Sequence, residues 1–249
     1  MAKDPLSQFV VKKIIPIEIG GIDFSFTNSS LSMLITAVII LGVFYIATIR
    51  CKIIPTPLQS IVEMLYQFIE TMLVDSASSK AKRFLPFIFS VFIFILAANC
   101  LGMFPYLFSF TSQVVVTASF SCMIILMIIF YGFYLNGFRF LKLFIPSGIP
   151  SLILPLVALI ELTSFLSRPI SLSLRLFANM LAGHIMLKVF SGFVISLVSI
   201  GWFGAFFSFV PLTVNVAITG LEFFVAFMQA YIFTVLTCLY FNDVFNCDH

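Results

Sequence analysis

Three uncharged apolar runs set the pattern of the chain: Leu31–Ile49, Phe84–Phe104 and Val114–Leu135. Each is close to the ~20 residues that a helix needs to cross a hydrocarbon core of ~30 Å. The first follows Asn28-Ser29-Ser30, and the other two are separated by a short loop around Pro105. They predict three membrane crossings behind an N-terminal tail, residues 1–29. Between the first two lies TPLQSIVEMLYQFIETMLV, residues 56–74, in which Thr56 suits a helix cap and Pro57 the first helical position. Here Gln59, Glu63, Gln67 and Glu70 recur at spacings of four, four and three and so line one face, while Ile61, Leu65, Ile69 and Met72 lie elsewhere. That pattern predicts an amphipathic helix at the membrane interface.

The last hundred residues follow a different rule. Residues 149–190 and 203–241 are each about twice as long as one perpendicular crossing. Either each is broken into two helices or each is long and strongly oblique, and hydropathy alone leaves both open. Glycines around Ser191-Gly192 and Gly201–Gly204 mark the expected turn between them. The fold class is therefore an all-α integral membrane protein forming a single membrane domain.

Composition agrees with that pattern. Of 249 residues, 61% are hydrophobic and 9% charged, with 33 phenylalanines. The mean hydropathy is +1.19, far outside the soluble range. A net charge of +3 is too small and too scattered for a nucleic-acid partner. The first 30 residues lack the charged start and cleavage site of a signal peptide, which predicts a retained N-terminus. Cys51, Cys100, Cys122, Cys238 and Cys247 form neither a CxxC nor a metal-ligand spacing and are expected to be small buried hydrophobes. Segment 50–83 carries Arg50, Lys52, Lys80, Lys82 and Arg83, and segment 136–150 carries Arg139 and Lys142. With five crossings, these positives predict an external N-terminus and a C-terminus on the cytoplasmic or matrix side.

The ionisable residues at membrane depth carry the chemistry. Six lie in the last two spans: Glu161, Arg168, Arg175, His184, Lys188 and Glu222. Each costs several kcal/mol at that depth, so each is a functional candidate by default. Lys188 lies near the end of its span and can snorkel; Arg168, beside Pro169, can serve carbonyls freed at a kink. At 100° per residue, Glu161, Ser164, Arg168, Ser171, Arg175 and Asn179 fall within about 40° of Arg175 and form one polar stripe. His184 lies two and a half turns beyond Arg175, on the opposite side. In the final span Asn215, Glu222, Gln229 and Tyr240 follow at separations of seven, seven and eleven, returning to nearly one azimuth. Arginine effectively never deprotonates, so Arg175 can attract, displace or block but cannot relay a proton. His184 and Glu222 can titrate, and on adjacent helices they suit a proton relay; a buried ion pair joining the helices is the alternative reading.

At these residues the chain resembles subunit a of F-type ATP synthases. The family's signature around its essential arginine reads here as SLSLRLFANMLAGH, residues 171–184, with Arg175 in the arginine position, Asn179 four later and His184 in a position that varies between acid and histidine. The last span adds LEFFVAFMQAYIFTVLTCLY, residues 221–240, with Glu222 in the acid-or-histidine position and Gln229 as the glutamine. ANCLGMFPY, residues 98–106, is similar to the loop after the family's second crossing. The His184 and Glu222 pairing resembles the mitochondrial and alphaproteobacterial form.

The resemblance implies five membrane-embedded helices plus the flat helix, the last two forming an oblique hairpin against a ring of subunit c. Partners implied are that ring, peripheral stalk subunit b, the rest of the complex and lipid, in a bacterial or mitochondrial inner membrane; no cofactor or metal is implied. The stripe of Arg175 is expected to face the ring and His184 to point back toward the final helix. Protons would enter through a half-channel lined by His184, Glu222, Asn215 and Gln229 and leave through another near Glu161, Ser171 or Tyr240. Arg175 would stand between the two. A secondary proton-coupled transporter is the rival reading, but two related halves are not visible. Haem ligation is poorly served by His184 and His249 alone, and neither a P-loop nor HExxH occurs.

Overall fold

The computed structural model describes residues 9–19, 22–23, 25–49, 52–76, 79–104, 107–137, 140 and 153–245. Pro105, Arg50, Arg139, Lys142, Cys51, Cys247 and His249 fall outside these, as does the start of the expected 149–190 helix. Among the described residues, five helical segments are long and apolar enough to cross a membrane. The chain is a multi-pass, predominantly helical membrane protein.

Short antiparallel pairings precede the helices: β1 (Lys13–Ile15) with β4 (Phe26–Thr27), and β2 (Glu18–Ile19) with β3 (Ile22–Asp23). The tail thus folds back on itself, a feature that hydropathy does not reveal. Helix α1 (Asn28–Thr48) starts where the Thr27 side chain accepts from the Ser30 amide at 3.4 Å. Its buried positions are Ser29, Ser32, Thr36 and Ala47, while Leu34, Val38 and Leu41 are exposed. Small residues inside and large apolar ones outside is the arrangement that lipid favours, because close helix contact rather than hydrophobic exclusion holds such helices together.

Helix α2 (Pro57–Ser76) packs Ile69, Met72 and Leu73 inward. Gln59 does not share the exposed polar face expected of it. It is buried, and its amide donates to Glu63 at 2.7 Å and to the Lys52 carbonyl at 3.4 Å, bonds that offset the cost of burial. Glu70 pairs instead with Lys82 at 3.2 Å in the short 3-10 helix Ser79–Phe84. Helices α3 (Leu85–Gly102) and α4 (Val114–Asn136) follow. The core brings Phe92 and Ile88 of α3 and Ile128 of α4 together with Phe233 and Phe241 of the last helix. Cys238 is buried and Cys100 half-buried, but Cys122 is exposed on α4, so the expectation of burial fails there.

Helix α5 (Leu154–Val198) is one continuous element of 45 residues. At 1.5 Å per residue it is about 68 Å long, more than twice the hydrocarbon thickness. Pro155 lies in its first turn, where a missing amide costs little. It does not end near Ser191-Gly192: the Ser191 hydroxyl bonds back to the Leu187 carbonyl at 2.7 Å and the helix continues. The turn comes at Gly201, where φ is 106° and ψ −159°. That region is essentially restricted to glycine. The second long segment is divided rather than continuous: α6 (Trp202–Phe207) precedes α7 (Phe209–Phe245). Pro211 accounts for the break, since it offers no amide to the carbonyl of Phe207.

The helices alternate in direction. The β pairings, the start of α1, the end of α3, the start of α4 and the late turns of α5 gather at one end, hereafter the hairpin end. The opposite end joins α4 to α7, where the Asn136 side chain donates to the Val244 carbonyl.

Gly201→Val tests the turn. Forcing a branched residue into this backbone should destabilise the α5 to α6 connection by about 1–3 kcal/mol, read as earlier unfolding in an SDS titration of the chain in mixed micelles.

Candidate functional site

Helices α5 and α7 pack antiparallel, and a series of polar residues follows their seam. Nearest the hairpin end, the Asn215 amide donates to the Ser191 hydroxyl at 3.1 Å. Next, Glu222 lies against Gly183 so closely that a Cβ there would sit 2.5 Å from its Oε1. Asn179 then donates to Gln229 at 3.5 Å. Further on, the Arg168 guanidinium lies 5.4 Å from the centroid of the Tyr240 ring. Across the series the α5 number falls from 191 to 168 while the α7 number rises from 215 to 240, as antiparallel helices require. The spacing of seven, seven and eleven along α7 is thereby paired, level by level, with α5.

Burial gives the series its chemical character. Glu222 and Gln229 are only 4% and 3% exposed. Both Glu222 oxygens, Nε2 of Gln229, Oδ1 of Asn215 and Nε2 of His184 lack a protein hydrogen-bond partner among the described residues. Native proteins seldom leave buried polar atoms so, and a cluster of them on one seam needs an explanation.

His184 and Glu222 do not form an ion pair. The imidazole engages the Gly102 backbone at the end of α3 and meets the Phe9 ring edge-on at 6.0 Å. It therefore turns toward α3 and the N-terminal segment rather than toward the final helix. It lines a cavity of about 200 Å³ at the hairpin end, together with Ser109, Leu187, Lys188 and Ser191. Lys188 thus lines this cavity, in addition to the snorkelling expected from its position.

A second cavity, about 490 Å³, opens on the other side of the seam and is lined by Arg168, Ser171, Arg175, Leu239 and Tyr240 among others. Arg175 and Ser171 are exposed, whereas Asn179 and Arg168 are half-buried, so the stripe turns gradually from the open face into the seam. The structure brings Ser171, Arg175 and Tyr240 together. Glu161 is half-buried on the second turn of α5 and does not join them, lying about 10 Å of helix rise before Arg168.

Gly183, Ser109 and Phe9 were not singled out by sequence, and Ser191 only as part of an expected turn. Asn99 was missed too: it is fully buried on α3 and donates to the Ala226 carbonyl of α7 at 3.4 Å. An asparagine within an uncharged run was the available signal for it.

The family model described as ATP synthase A chain matches residues 30–242. The chain belongs to this family. Proteins named ATP synthase subunit a from Brucella ovis, Brucella canis and Brucella abortus are similar to it, each 57% identical over 249 residues and covering all of both chains. The matched region contains every element from α1 into α7 and hence the whole polar seam.

Gly183→Val should displace the Glu222 carboxyl and cost about 1–3 kcal/mol through overpacking. Gly192, with open space around its Cα, serves as the control. A lowered thermal midpoint for Gly183→Val alone, measured on the detergent-solubilised chain, is the expected result.

Proposed function

We propose that the chain is the proton-conducting stator subunit of an F-type ATP synthase, not catalytic alone, in which proton flow is coupled to the rotation of a ring of subunit c. The observation that carries this reading is the α5 to α7 seam: a series of buried, incompletely bonded polar groups with one cavity at His184 and a second, farther along, whose lining includes Arg175. Family membership supports it, and the secondary-transporter alternative has no comparable support.

In this reading a proton enters the cavity at the hairpin end, passes His184 and reaches Glu222, with Asn215 and Gln229 lining the route. It then neutralises a carboxylate on the ring. Neutralisation is the essential step, because a bare carboxylate facing lipid is prohibitively expensive whereas a protonated one can travel. After nearly a full turn the carboxylate reaches the second cavity, where Ser171 and Tyr240 line the exit; Glu161 lies beyond them on the same helix.

Arg175 divides the two routes. Its permanent charge favours the ionised form of an arriving carboxylate and repels a proton moving directly across. Each elementary charge that crosses unproductively forfeits about 2.3 kcal/mol per 100 mV. The exposed residues within about 60° of Arg175 on the helix include Ala178, Ala182 and Met186, small or apolar. Such a face suits apolar helical hairpins that bring one carboxylate each, as a subunit c ring does. Subunit b and the remaining subunits are the further partners in this reading. The hairpin end is the outer side, and the C-terminus lies in the cytoplasm or matrix.

Arg175→Ala should abolish proton-driven ATP synthesis in membrane vesicles even where passive leakage persists; synthesis at the parental rate would refute the assignment. Glu222→Gln and His184→Ala should each slow coupled proton pumping several-fold without abolishing it. Unchanged pumping in both would return the two residues to a structural role.

A further inference from the structure

The N-terminal segment is fastened at three levels, and its first described side chain ends on His184. The Gln113 amide at the start of α4 donates to the Phe9 carbonyl at 2.9 Å. One residue on, Asn28 donates through Nδ2 to the Val10 carbonyl at 3.3 Å. The Lys12 amide in turn donates to Asn28 Oδ1 at 3.1 Å, and the Asn28 amide returns a bond to the Lys12 carbonyl. Val10, Val11 and Ile14 along this strap are exposed, but Phe9 is half-buried. Its ring is therefore where the strap makes its apolar contact with the helices.

Phe9 also supplies the wall of the His184 cavity that α3, α5 and the segment between α3 and α4 do not provide. The imidazole lies between the Gly102 backbone on one side and the Phe9 ring, edge-on, on another. Removing the ring would leave His184 free to rotate and open the cavity toward the hairpin end.

We propose that Phe9, held by Gln113, is a positioning residue for His184 and the outer collar of the proton entry cavity. This rests on the reading of His184 as part of the entry route. The strap fixes the orientation of the imidazole and narrows the opening to water, so that protons reach the ring nitrogen while larger hydrated ions are held back. Gln113 acts one step further out, through the Phe9 backbone, which places the phenyl ring independently of its own side-chain packing.

The test uses the assembled complex in vesicles with Ser109→Cys as reporter, because Ser109 is only 6% exposed and lines the same cavity. Labelling by a membrane-impermeant cationic methanethiosulfonate is compared with the parent, which carries only the native cysteines. Phe9→Ala should raise the labelling rate several-fold and lower coupled pumping, and Phe9→Tyr should restore both. Leu107→Cys, which is already exposed at the cavity mouth, should label rapidly in every background. Should Phe9→Ala impair assembly, Gln113→Ala retains the ring, loosens its tether and should shift labelling in the same direction. Labelling unchanged in both variants, or pumping not recovered by Phe9→Tyr, would overturn the proposal. If Arg175→Ala still abolished synthesis, that failure would fall on the collar alone; normal synthesis in Arg175→Ala would instead remove the function on which it rests.

Discussion

A guanidinium cannot be left against hydrocarbon, and much of this structure follows from where Arg175 is put. The residue sits midway along a helix about 68 Å long, on a face that is open in the isolated chain. An upright helix would carry it through the low-dielectric centre with lipid on most sides. An oblique helix can offer one face to a partner along its whole length and keep the opposite face on the protein. The length of α5 and the placement of its charges are thus two consequences of one constraint, the cost of an ion in a bilayer.

The same cost explains why α5 and α7 are so closely matched. Asn215, Glu222, Gln229 and Tyr240 would each be unfavourable facing lipid, and each meets α5 instead, at Ser191, Gly183, Asn179 and Arg168. Gly183 is the clearest case, for a methyl group at that position would occupy the space the carboxyl uses. Where these polar residues sit, the seam exchanges apolar packing for incompletely bonded groups. The structure recovers the difference in the phenylalanine-rich cluster that joins α3, α4 and α7 nearer the opposite end, with Phe84 stacked on Phe241 and Phe92 and Phe233 fully buried. Rigid packing there holds the seam in register while its own bonding stays loose.

The parts legible in the sequence were those governed by a local period. The azimuths of Arg175, His184 and the α7 residues could be read because a helix repeats every 3.6 residues, and the crossings because lipid demands long uncharged runs. What escaped depends on contacts distant in the chain. Gln59 was read as one of an exposed polar face, but two backbone groups at Lys52 and the Glu63 carboxylate satisfy it inside. The end of α5 lies beyond Gly192 because a glycine and a back-bonded serine do not stop a helix, whereas the Gly-only backbone at Gly201 does. The orientation of His184 was hidden for the same reason: the groups that hold its ring, the Gly102 backbone and Phe9, are about 80 and 175 residues away in sequence.

Helical periodicity alone makes Arg175 and His184 opposites, yet their chemistry differs for a reason that periodicity cannot supply. Arg175 is exposed with its charge permanent, and in the proposed function what it meets comes from another chain. His184 faces inward to a small cavity, where its neighbours belong to the same chain. A single rigid helix therefore fixes the distance between a charge that cannot be neutralised and a group that can. Because α5 is unbroken from Leu154 to Val198, neither can shift along the membrane without the other. The α5 contribution to the two cavities is thereby fixed by helix rise, while the strap at Phe9, the end of α3 and the segment between α3 and α4 supply the remaining walls of the first. In the proposed function, this fixed spacing along α5 keeps entry apart from exit while a ring turns past the open face.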